Sequence, residues 1–203
     1  MLIATGYALC ALGGCGEVGH RSAEHGGEVE WVDCGGLKAR LTPDRLDDIE
    51  GCDRYLGTIE LSTFSDEDFK ALSRLKHVSH LALVSEAGPT PFKGMEGLET
   101  VGVLSVHSHV IESLKGLEGL KAAAVVSIGG CERLRTFEGL GNLEEVGSLT
   151  IVQNTALAEL ESLTSLSSIE KNLHLSRVPA LPQSQIDGFL ERVHVEGHVF
   201  LHP

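Results

Sequence analysis

A short apolar segment recurs every 22 to 26 residues from residue 57 onward, and it is the strongest constraint on what this chain can fold into. In every copy the third and fifth residues are aliphatic. Because side chains two apart on a strand point to the same face, each copy predicts a short strand with an inward pair and one outward residue between them. The copies are GTIELS (57–62), SHLALV (79–84), GVLSVH (102–107), AVVSIG (124–129), GSLTIV (147–152), KNLHLS (171–176) and GHVFLH (197–202).

Between these segments apolar residues recur at every third position, as at Phe137, Leu140, Leu143, Val146 and Leu149. A spacing of three fits neither a long α-helix nor a strand, but it suits a chain that winds around an axis and points one side chain inward at each corner. A single coil cannot enclose these residues, so they are buried only when neighbouring coils stack. We therefore expect a solenoid with a parallel β-sheet of about seven short strands, and with short helices and turns on its other sides.

The acidic balance of the chain argues against one class of partner. With 29 acidic and 16 basic residues the formal net charge is -13, so the surface would repel the phosphate backbone of a nucleic acid. The sequence contains no serine-hydrolase elbow, phosphate-binding loop, zinc-protease helix or paired-cysteine metal motif. We therefore expect a binding protein that uses no cofactor, and neither an enzyme nor a nucleic-acid-binding protein.

The first 14 residues carry no charge and are mostly apolar, which is typical of the hydrophobic region of an export signal. This run is too short to span a bilayer as a permanent helix. It ends in Leu12-Gly13-Gly14-Cys15, which resembles the lipobox of bacterial lipoproteins. The resemblance implies that the signal is cleaved before Cys15 and that the Cys15 thiol carries a lipid. A chance apolar start followed by a buried cysteine is the alternative.

The predicted signal divides the chain into three parts. Residues 1–14 are the signal peptide, and residues 15–28 are polar and rich in glycine, which is the composition of a flexible tether. Residues 29–203 are then expected to form a single domain, since a chain of this length supports one substantial core. Together these features predict a protein held at the bacterial cell envelope by its lipid, with its domain facing the periplasm or the outside.

The repeat-containing part of the chain resembles the receptor L domain, the leucine-rich solenoid of insulin and epidermal growth factor receptor ectodomains, which also occurs in bacterial surface proteins. The resemblance covers about residues 32–202. It is most specific at Cys34, at Cys52 with the strand that follows it, and at the stretch LEEVGSLTI from Leu143 to Ile151. It implies a leucine-rich-repeat-like, right-handed solenoid.

The same resemblance implies a disulfide. In that family the two opening cysteines are bonded across the amino-terminal cap, so Cys34 is expected to pair with Cys52. Export makes this pairing chemically reasonable. Closing a loop of about 18 residues would contribute on the order of 3 kcal/mol in the chain-entropy model. Cys131 would remain unpaired, and a small apolar filler at a corner is the simplest role for it.

The outward face of the sheet is the predicted binding surface, because its residues can change without disturbing the core. We expect a protein or a glycan of the cell envelope to bind there, while the lipid holds the chain at the membrane. No aromatic cluster marks a hot spot on this face. The candidate residues are the fourth residues of five segments, namely Glu60, Ser105, Ser127, Thr150 and His174.

Histidines near the end of the sequence offer a different function. If the register holds, His174, His198 and His202 project outward from the last two predicted strands, and neutral imidazoles suit zinc or copper. The competing interpretation is a solvated terminal face, where histidine discourages edge-to-edge pairing of strands. An architectural envelope protein without a discrete ligand is a third hypothesis.

Overall fold

The computed structural model describes residues 32–36, 40–60, 69–84, 92 and 94–202. These residues form one sheet of 11 strands in which every assigned pair is parallel. The helices of the described residues are α1 (Phe69–Leu72), α2 (Gln183–Arg192) and a 3-10 helix over Pro43–Ile49. The strands are β1 (Asp33–Cys34), β2 (Arg40–Leu41), β3 (Arg54–Glu60), β4 (His77–Val84), β5 (Thr100–His107), β6 (Ala122–Gly129), β7 (Glu145–Val152), β8 (Ser168–Ile169), β9 (Leu173–Ser176), β10 (His194–Val195) and β11 (Val199–His202).

The predicted segments lie side by side in sequence order. Their strands are β3, β4, β5, β6, β7, β9 and β11, and each pairs with the next. In the middle of the sheet Ser105 pairs with Ser127, Ser127 with Thr150, and Thr150 with His174, which is the register expected from the sequence. The parallel sheet of short strands is therefore confirmed.

The remaining strands, β1, β2, β8 and β10, have 2 residues each and were not predicted. Strands β8 and β9 both pair with β7, so they are two parts of one interrupted crossing of the sheet. The break between β8 and β9 lies at the same level of the sheet as an irregularity in β5. There, one residue between Val101 and Val103 is left out of the pairing with β4. At the equivalent point of β7, a Cβ atom on Gly147 would lie 2.3 Å from the carbonyl oxygen of Ala124. The glycine of the repeat thus permits close contact between strands.

The inward residues form buried rows across the sheet. The third residue of each segment is buried as far as Leu173, and the fifth is buried from Leu83 to Leu175. Strand β11 differs, because Val199 is 41% exposed and Leu201 is half-buried. In the register Val199 lies beside the inward Leu173, so the predicted alternation is kept in the last copy, but the expected burial is not. The reason is position, since β11 pairs only with β9 among the described strands and has no further strand to cover it.

The residues at every third position between the strands are buried as well. A repeated hydrogen bond accounts for the spacing: the N–H of Leu140 donates to the carbonyl of Phe137 (2.9 Å), and the N–H of Leu143 donates to that of Leu140 (3.1 Å). Bonds of this type give about three residues per turn, so side chains three apart face the same way. Helix α2 adds Ile186 and Phe189 to the same core.

The amino-terminal end of the sheet carries a disulfide. Cys34 and Cys52 are bonded with their Cα atoms 6.0 Å apart, which is the pair that the resemblance implied. In the register, Cys34 of β1 lies beside Tyr55 of β3, whose side chain is buried. Gly35 has a φ of +70°, and a Cβ atom there would lie 2.4 Å from the Tyr55 ring. Glycine is therefore needed at this position for its backbone conformation and for the space it leaves.

Asn154 is a fully buried polar residue just beyond β7. Its Nδ2 donates to the carbonyl of Ile128 (2.9 Å), and its Oδ1 accepts from the N–H of Cys131 (2.9 Å). Both partners belong to the preceding repeat, 26 and 23 residues earlier in the chain. Because a buried backbone group needs a hydrogen-bond partner in place of water, this amide satisfies the preceding turn while joining two repeats.

Replacing Cys34 and Cys52 together by alanine should lower the free energy of unfolding by on the order of 3 kcal/mol, because the disulfide closes a loop that restricts the unfolded chain. Urea unfolding followed by circular dichroism measures the change. A reducing agent should cause a similar loss in the wild-type domain and none in the double variant. Equal urea midpoints for the two proteins would contradict a stabilising role.

Asn154→Ala should lower the free energy of unfolding by roughly 2–6 kcal/mol, because two buried groups lose a partner and each loss costs about 1–3 kcal/mol. Asn142→Ala is the matched control, since the exposed Asn142 makes one bond of the same kind, from Nδ2 to the carbonyl of Glu118 (2.7 Å). The control should lose less than about 1 kcal/mol. Urea unfolding compares the two, and an equal loss in both variants would show that burial of Asn154 adds nothing.

Candidate functional site

One row of outward side chains, called here the outward row, crosses the sheet from β3 to β11. The five residues predicted to form the binding face all lie in it, and all five are half-buried, so each reaches the surface. With neighbouring strands about 4.8 Å apart, the part of the row from Glu60 to His174 is about 24 Å long. In strand order the row consists of Glu60, Ala82, Ser105, Ser127, Thr150, His174 and Phe200.

The outward row has small uncharged side chains at its centre and an ion pair at its β3 end. Small hydroxyl side chains occupy it on three adjacent strands, β5, β6 and β7. Beside them Val103 pairs with Val125, which is 36% exposed, so an apolar strip borders the hydroxyl groups. At the first end Arg40 and Glu60 form an ion pair. Such a surface offers hydrogen bonds and shallow apolar contact without a single dominant anchor.

The histidines on the last strands do not gather around one point. The ring centroid of His174 lies 6.2 Å from that of His202 and 6.0 Å from that of Phe200. His198 contacts Phe200 as well, at 5.9 Å, and Phe200 is the direct neighbour of His174 in the register. In the part of the chain that the structure describes, no group of three or more His, Cys, Asp or Glu side chains could hold a metal ion. A metal function for these histidines gains no specific support.

A groove runs along the edge of the sheet where β5, β6, β7 and β9 end. It consists of two pockets with volumes of about 470 and 410 Å³. The pockets adjoin because Gln153 and Arg177 line both of them. We call this site the C-terminal groove, and its main polar residues are His107, Glu132, Gln153, His174, Arg177 and His202. His174 belongs to the outward row too, so the two surfaces are continuous.

Three residues that each follow a strand by one position shape the C-terminal groove. Gly130 follows β6, Gln153 follows β7 and Arg177 follows β9, with φ values of 65°, 56° and 54°. At Gly130 a Cβ atom would lie 2.4 Å from Cε1 of His107, so the His107 ring packs on the bare backbone. Among the described residues, Gln153 and Arg177 are the non-glycine residues with positive φ. This conformation is unfavourable for a residue with a Cβ atom.

The charge of the C-terminal groove contrasts with that of the whole chain. Glu132 is the acidic residue of its lining, and its Oε1 lies 3.3 Å from Nδ1 of His109. Within the described residues no carboxylate pairs with the guanidinium of Arg177, which is exposed. In a chain with a formal net charge of -13, this edge is therefore poor in negative charge.

Sequence reasoning missed the C-terminal groove. The repeat pattern locates the strands and their two faces, but it does not report the backbone conformation of the residue that follows each strand. The available signal was weak: a glycine follows β6, whereas Gln153 and Arg177 stand at the equivalent places after β7 and β9. Only the positive φ values distinguish these two residues from ordinary exposed polar side chains.

Titratable groups with a shifted pKa lie in or near the core. Burial raises the pKa of the free Cys131 thiol to about 11, so this thiol is protonated at neutral pH and is a poor nucleophile. Burial lowers the pKa of His77, and the nearby positive charge of Arg54 lowers it further. The Nδ1 atom of His77 lies 2.7 Å from Oγ1 of Thr100. Neither Cys131 nor His77 lines the C-terminal groove.

The predicted anchor lies outside the described residues. This holds for Cys15, for the predicted signal over 1–14 and for the predicted tether over 15–28. In the described part of the chain no helix is both long enough and apolar enough to cross a membrane. The lipid and the envelope location therefore stay predictions from the sequence.

Comparison with known proteins supplies no relative from which a role could be transferred. No protein-family model, no curated protein and no solved structure matches this chain.

Proposed function

We propose that this chain is a lipid-anchored interaction module of the bacterial cell envelope, which binds a protein or a glycan through the exposed face of its parallel sheet. The outward row is the observation that carries the proposal, because it joins equivalent residues of successive strands into one continuous surface. The inward residues hold the strands in register, so the chemistry of the row is free to vary with the ligand.

The domain type proposed here is the right-handed leucine-rich solenoid of the receptor L domain. Three observations support it: the strands follow one another in sequence order, turns with a spacing of three connect them, and a disulfide closes the first repeat. In a solenoid each repeat contacts its neighbours, which agrees with the bonds that Asn154 makes to the preceding repeat.

The proposed location is the cell envelope, with the lipid on Cys15. The sequence Leu12-Gly13-Gly14-Cys15 supports the anchor. The disulfide between Cys34 and Cys52 supports export, because disulfides persist in oxidising compartments and are rare in the cytosol. An anchored domain with a broad binding face is suited to capture a partner at the surface or in the periplasm.

Ser127→Arg should abolish binding to the outward row, because a long charged side chain at its centre would block the neighbouring hydroxyl groups on β5 and β7. Ser165→Arg is the matched control, since Ser165 is exposed and lies outside the strands. Immobilised wild-type and variant domains, with thermal unfolding as the check on folding, are compared for capture from an envelope extract. Capture should fall at least tenfold for Ser127→Arg and stay within twofold for Ser165→Arg.

Two outcomes would contradict a binding role for the outward row. If the wild-type domain retains nothing from the extract, the architectural hypothesis is favoured. If both variants capture the same material as the wild type, binding takes place elsewhere on the domain. Treating the extract with protease, or removing its glycans, before capture separates a protein ligand from a glycan.

Cys15→Ser should remove all fatty-acid label from the chain when it is expressed in bacteria with a labelled fatty acid, because the thiol is the predicted point of attachment. Cys10→Ser is the control, since Cys10 precedes the predicted cleavage site and should leave the labelling unchanged. The label on the purified protein is measured after separation by electrophoresis. A wild-type chain without label would contradict the anchor, even if the sheet face binds a partner.

A further inference from the structure

We propose that the C-terminal groove is a binding site for an acidic oligosaccharide, in which Arg177 receives the carboxylate of one sugar unit. This inference deepens the proposed function, on which it rests, by naming the ligand class and the part of the surface that contacts it. It is carried by the geometry of Arg177 and Gln153, by the charge of the groove and by its shape.

The backbone at Gln153 and Arg177 is the first argument. Both residues have a positive φ, although glycine would adopt this conformation without strain, as it does at Gly130 after β6. The chain therefore keeps two long polar side chains at positions where folding alone would favour glycine. Strain of this kind is maintained where the rest of the fold enforces it, and it concentrates at ligand-binding sites.

The unpaired charge of Arg177 is the second argument. Its guanidinium has no carboxylate partner among the described residues, and the acidic residue of the lining, Glu132, lies against His109 instead. A guanidinium presents a planar fork of donors that matches a carboxylate with two parallel hydrogen bonds. Arg177 lines both pockets, so it can reach a carboxylate in either one.

The shape of the groove is the third argument, and it favours a glycan over an acidic peptide. An extended peptide is held mainly by main-chain bonds along a free sheet edge, but this groove crosses the ends of β5, β6, β7 and β9, which are paired on both sides, and it meets the edge strand β11 only at the terminal His202. Two adjoining pockets of similar volume fit successive units of similar size. Gln153, Ser176 and the imidazoles supply donors and acceptors that suit hydroxyl groups.

Titration calorimetry of the purified protein with a panel of trigalacturonate, trimannuronate and sialyllactose tests the proposal. At least one of the three should bind the wild type, and its methyl ester, which lacks the charge, should bind at least tenfold more weakly. Arg177→Gly should weaken binding of the acid at least tenfold and should leave the melting temperature unchanged or raised, because glycine relieves the backbone strain. A loss of binding in a variant that folds as well as the wild type cannot be attributed to misfolding.

Arg133→Ala is the charge-matched control, since Arg133 is exposed and pairs with Glu112 at 3.7 Å outside the groove lining. It should bind the acid within twofold of the wild type. Arg177→Lys keeps the charge without the fork and should lie between wild type and Arg177→Gly.

Four results would overturn the proposal: none of the acids binds the wild type, the ester binds as tightly as the acid, Arg177→Gly binds normally, or hexaglutamate binds more tightly than the sugars through Arg177. The last result would assign the groove to an acidic peptide. The two proposals fail in different ways. If only the outward-row proposal is wrong, Ser127→Arg captures material normally while Arg177→Gly still binds the acid more weakly. If only the groove proposal is wrong, Ser127→Arg loses capture while Arg177→Gly binds the acid as well as the wild type does.

Discussion

The packing of equivalent aliphatic side chains between neighbouring strands is the interaction on which the rest of the structure depends. Leu81, Leu104 and Val126 lie in one row and are each 0% exposed, because every strand covers the next. Burying a side chain of this size contributes about 1.5–3 kcal/mol, so a row of them holds the register strongly. Val199 shows the converse, since the last strand has a neighbour on one side and its inward residue is 41% exposed.

The polar interactions of the core work within that packing. The turns with a spacing of three satisfy their own backbone groups, as the bond from Leu143 to Leu140 illustrates. Asn154 supplies donors and acceptors where the turn after β6 lacks them, and the disulfide of Cys34 and Cys52 ties down the first repeat. Because these backbone groups find their partners inside the domain, the side chains of the outward row are not needed to supply them.

Two surfaces follow from this arrangement, and they meet at His174. The outward row carries small hydroxyl side chains and includes no residue with a positive φ, whereas the C-terminal groove carries Gln153 and Arg177 in that conformation. This difference agrees with the two proposed roles, which are a broad contact surface for the row and a site for one chemical group in the groove. One ligand that follows the face of the sheet to its edge would contact both.

The sequence by itself determined the strands of the repeated segments, their inward and outward alternation, and the candidate row from Glu60 to His174, because these follow from a side-chain period of two that a repeat makes visible. The resemblance to the receptor L domain added the pair Cys34 and Cys52, which spacing alone does not identify. Only the tertiary structure decided the exposure of Val199, the burial of Asn154 and the existence of the C-terminal groove. Each of these depends on what the neighbouring repeat places beside a residue, and on a backbone conformation at Gln153 and Arg177 that no local pattern in the chain reports.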